Sequence, residues 1–197
     1  MDLVEKIKIL QNHLKVRNFK KVIEGSKVLL NKMPNNDYLL NITGMAYQGL
    51  SQHDNSIKCF NRALKHSPNN LAAMNNLANS LKAIGKLEES KDLYENILKI
   101  NPNYINAYNN YANLKTLVND YDGAIQLYKK AYSIIEKMDN VPNSTVTGIL
   151  FSLVAAYQSA NKIEETQVIV KKILSIDPSH VGAHKLTGSL IKYSNNN

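Results

Sequence analysis

The chain has little cysteine, arginine or tryptophan, and it has no long apolar run. A single cysteine, Cys59, among 197 residues excludes an intramolecular disulfide framework and a cysteine-built metal cage. The longest uncharged apolar stretch, Gly148 to Tyr157, is about half of what a membrane span needs. Glu5, Lys6 and Lys8 interrupt the N-terminal apolar residues before a signal-peptide core could form. There is no glycine-rich phosphate loop, paired-carboxylate motif or serine elbow, so no catalytic residue is assigned. Among the five histidines, His180 and His184 are four apart and could share a helix face, but no carboxylate or thiol lies near them in sequence. No metal or cofactor is expected, and the reading is of a soluble, cytoplasmic, non-enzymatic chain.

What is abundant is asparagine, with 27 residues, beside 22 lysines. With 44% apolar and 20% charged residues the chain can bury a core. The net charge of +8 raises nucleic acid as a partner, and its distribution argues against one. Residues 1–36 carry +5, while 71–104, 105–146 and 147–180 each balance to zero. The only arginines are Arg17 and Arg62, whereas bidentate phosphate and guanine contacts favour arginine.

The chain repeats itself. Pro34, Pro68 and Pro102 are spaced by 34, and alignment on them starts units at Leu3, Asp37, Leu71 and Ile105. Pro178 implies a further unit from Thr147. Mostly small residues recur at the eighth place (Gly44, Ala78, Ala112, Val154) and the twentieth (Val22, Ser56, Ser90, Ala124, Thr166). Large ones stand at the twenty-fourth place (Phe60, Tyr94, Tyr128) and apolar ones at the twenty-seventh (Leu29, Ala63, Ile97, Ala131, Ile173). Apolar spacing of three and four, as in Leu77, Leu81 and Ile84, predicts helices. Gly85, Asn119 and Asn161 share a place where a left-handed residue would end the first helix of a unit. Each proline then ends a second helix. A single 34-residue pair cannot bury its apolar face alone, so the units must stack.

This pattern resembles the tetratricopeptide repeat (TPR) family. It reads Leu40-x-x-Thr43-Gly44-x-x-Tyr47, then Ser56, Phe60, Ala63 and Pro68 in the second unit. In the third it reads Met74-x-x-Leu77-Ala78-x-x-Leu81, then Ser90, Tyr94, Ile97 and Pro102. The resemblance implies an all-α, right-handed superhelical solenoid of antiparallel helix pairs. It implies one TPR domain over 1–197, with repeats at about 3–36, 37–70, 71–104, 105–146 and 147–180 and a C-terminal helix at 181–194. The family's tryptophan at the fourth place is absent, and the first unit carries Lys6, Leu10 and His13 at core places. The fourth unit has eight extra residues, expected in its second helix or in the Met138–Val146 loop.

The resemblance also implies that first helices line a concave, ligand-binding groove. Its places hold Tyr38, Asn41, Ile42, Met45 and Gln48, then Asn75, Asn76, Asn79 and Lys82. Asn106, Asn109, Asn110 and Asn113 follow, then Phe151 and Ser152. A side-chain amide offers donors and an acceptor that match a peptide unit, so such a ladder can hold an extended polypeptide by its backbone. Tyr38, Met45 and Phe151 would supply side-chain pockets. Each bond adds about 1 kcal/mol net, which suggests affinity on the order of micromolar. The ladder is similar to that of TPR arrays fused to protein O-GlcNAc transferase, with Asn76 and Asn110 at matching places. Co-chaperone TPRs instead grip a carboxylate with cations, and Asn75, Asn79, Asn110, Gly148 and Ser152 supply none.

The expected function is therefore a non-catalytic scaffold for a protein or extended peptide, with no small-molecule substrate and no membrane partner. The alternative is a substrate-recruiting module of a bacterial sulfotransferase or glycosyltransferase whose catalytic domain lies outside this chain. The segments Asn75–Asn79, Asn109–Asn113 and Ala183–Leu186 resemble TPR regions that precede such domains. Self-association through the solenoid ends is a further partner class. At the C-terminal end, Leu190, Ile191 and Tyr193 do not supply the polar outer face that a closing helix needs.

Overall fold

A computed structural model describes residues 2–194, with side-chain surroundings described as far as Gly188. The expectations for Leu190, Ile191 and Tyr193, and for 195–197, lie outside that description. Eleven helices and no strand occur among the described residues. Residues 1–102 form one compact unit with α1 (Leu3–Lys15), α2 (Phe19–Lys32), α3 (Asp37–Gly49), α4 (His53–His66), α5 (Leu71–Ala83) and α6 (Leu87–Ile100). Residues 103–197 form another with α7 (Ile105–Leu117), α8 (Tyr121–Ile135), α9 (Asn143–Ser159), α10 (Ile163–Ile176) and α11 (Val181–Ser194). Within each unit every helix packs against the next in sequence.

The helix ends follow from the repeated residues. Arg17, Ser51, Gly85, Asn119 and Asn161 occupy one shared place in the five units, and all have φ between 56° and 81°. This left-handed residue lets the chain reverse after each first helix. The N–H that follows it, from Asn18, Gln52, Lys86, Asp120 or Lys162, donates to a carbonyl five residues back at 2.8–2.9 Å. Arginine and serine thus fill a position that sequence reading had given only to glycine and asparagine. Second helices end differently. Met33, Ser67, Asn101 and Asp177, each directly before a proline, have φ near −133° and ψ of 69–96°. Proline disfavours the helical region for its predecessor, which is why the turns repeat. Two of the turn asparagines then start the next helix. Asn36 and Asn70 accept from the N–H of Leu39 and Ala73 at 2.9 and 3.1 Å. Such caps contribute about 1 kcal/mol each.

The small residues sit where helices meet. Gly44, Ala78, Ala112 and Val154 at the eighth place are all buried, and so are all five twentieth-place residues. A Cβ on Gly44 would lie 2.5 Å from the Phe60 ring, so α3 and α4 can touch only without one. In the first unit the core joins Leu10, Leu29, Leu39 and Ile42, then Leu40, Ala63 and Ala73, then Phe60, Leu77 and Leu81. In the second, Ala112, Ala124, Ile125, Tyr128, Leu153 and Tyr157 pack together, and Leu150, Val154, Val170, Ile173 and Ala183 form a neighbouring cluster. Cys59 is half-buried, and burial raises its thiol pKa.

The eight extra residues of the fourth repeat are divided. Relative to the 34-residue register, α8 gains one residue, the connection to α9 gains three, and α9 starts four residues early at Asn143. The extension therefore lies partly in the following first helix, where it was not expected. Val141 and Val146 pack against Ala131, Ile135 and Ile149, which holds the lengthened connection to its unit.

Candidate functional site

In the first unit, α3 and α5 carry the polar places of adjacent first helices. Asn76 Nδ2 donates to Asn41 Oδ1 at 3.1 Å, so two of the expected ladder residues form an amide pair. That bond leaves the Asn76 side-chain oxygen, Oδ1, without a protein partner among the described residues. Among the described residues the Asn41 amide nitrogen has only the Met45 sulfur, at 4.0 Å. The pair thus retains one acceptor, on α5, and one donor, on α3, the two kinds of group that a peptide N–H and C=O would meet. Gln48 of α3 also ties the two helices together. Its Nε2 donates to the Asn76 backbone oxygen and to Ser80 Oγ, both at 2.8 Å. Ser80 Oγ also meets Ser56 Oγ of α4 at 2.7 Å.

The remaining expected residues of this unit are placed unevenly. Tyr38 is 39% exposed, and its hydroxyl accepts from Gln11 Nε2 of α1. Asn75 is buried, with 6% exposure, and Ile42 belongs to the core, not the open face. Lys82 is half-buried, and burial lowers its pKa below the ordinary lysine value. Asn79 is half-buried and accepts from the Tyr94 hydroxyl at 2.7 Å.

In the second unit, α7 exposes Asn106 and Asn113 and half-buries Asn109 and Asn110. Asn113 Oδ1 accepts from the Tyr128 hydroxyl at 2.6 Å, the counterpart of the Tyr94 bond one repeat on. Phe151 of α9 is half-buried against the Leu150–Ala183 cluster, its ring centroid 5.1 Å from that of His180. Ser152 donates to the Gly148 carbonyl of its own helix at 3.1 Å.

The amide pair, the Gln48 tie and the tyrosine–asparagine bonds were not read from the sequence. One signal was present for the last. Where the twenty-fourth place is Tyr94 or Tyr128 the ninth is Asn79 or Asn113, and where it is Phe60 or Val170 the ninth is Met45 or Ala155.

The other candidate chemistries have different employment. His180 Nδ1 accepts from the Ala183 N–H and so starts α11, and a His184 ring nitrogen bonds the Pro178 carbonyl at 2.8 Å. No group of three histidine, cysteine or acidic side chains that could hold a metal occurs among the described residues. The Arg62 guanidinium donates to the Pro34 carbonyl at 3.0 Å. No described helix is long and apolar enough to cross a membrane.

Helix pairs of 34-residue period, closed by left-handed residues and proline turns, define a helical-repeat protein of the all-α solenoid class. Family models described as tetratricopeptide repeat match residues 39–70 and 69–137, together half of the chain, and the chain belongs to the tetratricopeptide repeat family. No curated protein matches it. Among solved structures it is similar to a thermophilic TPR protein of Thermus thermophilus. That match has a TM-score of 0.77 and 14% identity, over 95% of this chain and 97% of the other. BtubC (BKLC) from P. vanneervenii matches at a TM-score of 0.78 and 19% identity, over 90% of this chain and 80% of the other. MamA matches at 0.69 and 20% identity, over 90% and 96%. These likenesses establish the fold.

Proposed function

We propose that the chain is a non-catalytic scaffold, one array over its 197 residues, that binds an extended polypeptide along its first helices. The Asn41–Asn76 pair supports this reading most directly, since it leaves an acceptor and a donor on two helices that Gln48 ties together. Pre-organised groups lose little entropy on binding, which offsets the cost of ordering a flexible peptide. In the first unit Tyr38, Met45 and Lys82 would select side chains; in the second, Asn106, Asn109 and Asn110 of α7 stand at the same register, and Phe151 would select side chains. Asn79 and Asn113 contribute less, because each already accepts from a tyrosine.

The test uses a peptide selected on the wild-type chain from a random library. Asn76→Ala combined with Asn110→Ala should weaken that peptide several-fold while thermal stability changes by no more than about 1 kcal/mol. A peptide held with unchanged affinity by the double variant would refute the assignment of the face. Localisation in the cytoplasm accords with this reading and is part of the same proposal.

A further inference from the structure

The first helix pair turns a second, chemically different face outward. Its inner side packs on α3 through Leu10, Leu29, Leu39 and Ile42. On the outer side, Val28 is 61% exposed and Ile9 39% exposed. Between them a cleft of about 230 Å³ is lined by Lys6, Ile9, Leu10, Gly25, Val28 and Leu29. Gly25 lets α1 and α2 approach closely beside the cleft, for Leu10 Cδ2 lies only 2.6 Å from where a Cβ would stand. Lys21, Gly25, Val28 and Lys32 follow one another at helical steps of four, three and four, so cations stand at both ends of the apolar strip on α2. On α1, Lys6 stands one turn before Ile9 and Leu10. Acidic residues are few, since residues 1–36 carry three against eight basic ones. One of the three, Asp2, accepts from the Glu5 N–H as a helix cap.

Three occupants can be compared on these features. A second copy placed face to face would set Lys6, Lys21 and Lys32 against their own copies, and like charges across an interface oppose association. A lipid surface suits a convex helix lying flat, with its apolar side immersed, whereas this face is hollow at its centre. A hollow between two helices fits a side chain projecting from a third helix, the geometry of helix packing. We propose that the cleft between α1 and α2 receives an apolar side chain of an amphipathic helix from another protein, with acidic residues flanking its apolar stripe. Lys6, Lys21 and Lys32 meet those acids. This surface is separate from the asparagine face, and neither reading depends on the other.

The probe is a synthetic helical peptide with leucines at i, i+3, i+4 and i+7 and glutamates on both flanks, titrated into the full chain. Its control carries lysines in place of the glutamates. The glutamate peptide should bind and the lysine peptide should not. Val28→Asp should weaken binding at least about tenfold. Ile9→Ser serves as a second variant should Val28→Asp fail to keep the wild-type helical circular dichroism. Lys6→Glu with Lys21→Glu and Lys32→Glu should reverse the preference between the two peptides, and Asn76→Ala should leave both titrations unchanged. Equal binding of the two peptides overturns the proposal, as does indifference to Val28→Asp and Ile9→Ser. Two further results also overturn it in favour of another occupant. One is a sedimenting dimer that Val28→Asp abolishes while the peptide fails to bind. The other is binding to phosphatidylserine vesicles, lost in Val28→Asp, without peptide binding.

Discussion

The Tyr94 hydroxyl donates to Asn79 Oδ1 at 2.7 Å, linking the second helix of a repeat back to its first. Tyr128 and Asn113 repeat the bond at 2.6 Å, while the preceding repeat has Phe60 and Met45 at the same places. The ring is fully buried, yet Asn79 is half-exposed, so the bond lies at the edge of the core. Tyr94→Phe should therefore cost about 1 kcal/mol, since water can reach the orphaned carbonyl. Adding Asn79→Met to Tyr94→Phe recreates the Phe60–Met45 pairing and should recover most of that loss. A double-mutant cycle on urea midpoints measures the coupling, and strict additivity of the two changes would contradict the pairing.

Arg17 and Ser51 are exposed and hold φ of 58° and 59°, where Gly85 holds 81° at the equivalent place. A left-handed conformation costs an ordinary residue about 1–2 kcal/mol, and glycine escapes that cost but loses more chain entropy. Ser51→Gly and Arg17→Gly should each stabilise by a net few tenths to about 1 kcal/mol. Gly85→Val should destabilise by more than either gains, because a β-branched residue tolerates this region worst. Thermal midpoints of the three variants check the ordering.

The helix-pair architecture was legible because a 34-residue period multiplies each local signal. Gly44, Ala78 and Ala112 individually say little, but at one register they can only be a helix contact. The left-handed place was only half legible, because Arg17 and Ser51 are not residues that announce such a backbone; the pull of two packed helices overrides their preference. The eight-residue insertion was visible as a length, and its partition was not, since Asn143–Val146 has no apolar period distinguishing helix from loop. At the candidate face, residue type and register were readable, but partners were not. Asn41, Asn76, Asn79 and Asn113 look alike in sequence, yet the first two pair with each other and the last two accept from tyrosines. A side-chain amide is drawn to whichever donor its neighbouring helix presents, and that is a three-dimensional fact.

Gly44 allows no added atom. The Cβ of an alanine would fall 2.5–2.9 Å from three carbons of the Phe60 ring, and that ring is itself fully enclosed. Gly44→Ala should cost about 1–3 kcal/mol as overpacking, despite alanine's better helix propensity. Phe60→Leu in the same chain should relieve part of the cost by shortening the opposing side chain. A Gly44→Ala variant as stable as wild type would mean that α3 and α4 can separate freely, against the close approach described above.

Burial also makes the tyrosines sensitive to base. The Tyr94 phenol is pushed up to about 12, chiefly because its enclosed ring disfavours the charged form. Tyr128 is raised for the same first reason. In the unfolded chain both ionise near the ordinary value of about 10. A folded-state pKa above the unfolded one means that the folded chain holds its proton longer. The stabilisation is therefore complete below about pH 10 and lost as pH rises toward about 12, amounting to about 2–3 kcal/mol for Tyr94. Urea midpoints taken across this interval should fall steeply for the wild-type chain. In Tyr94→Phe with Tyr128→Phe the decline should be visibly shallower, although the variant starts from a lower stability at neutral pH. Parallel declines in the two proteins would show that neither phenol resists ionisation in the folded state, and would place both rings nearer to water than the packing of Tyr94 and Tyr128 puts them.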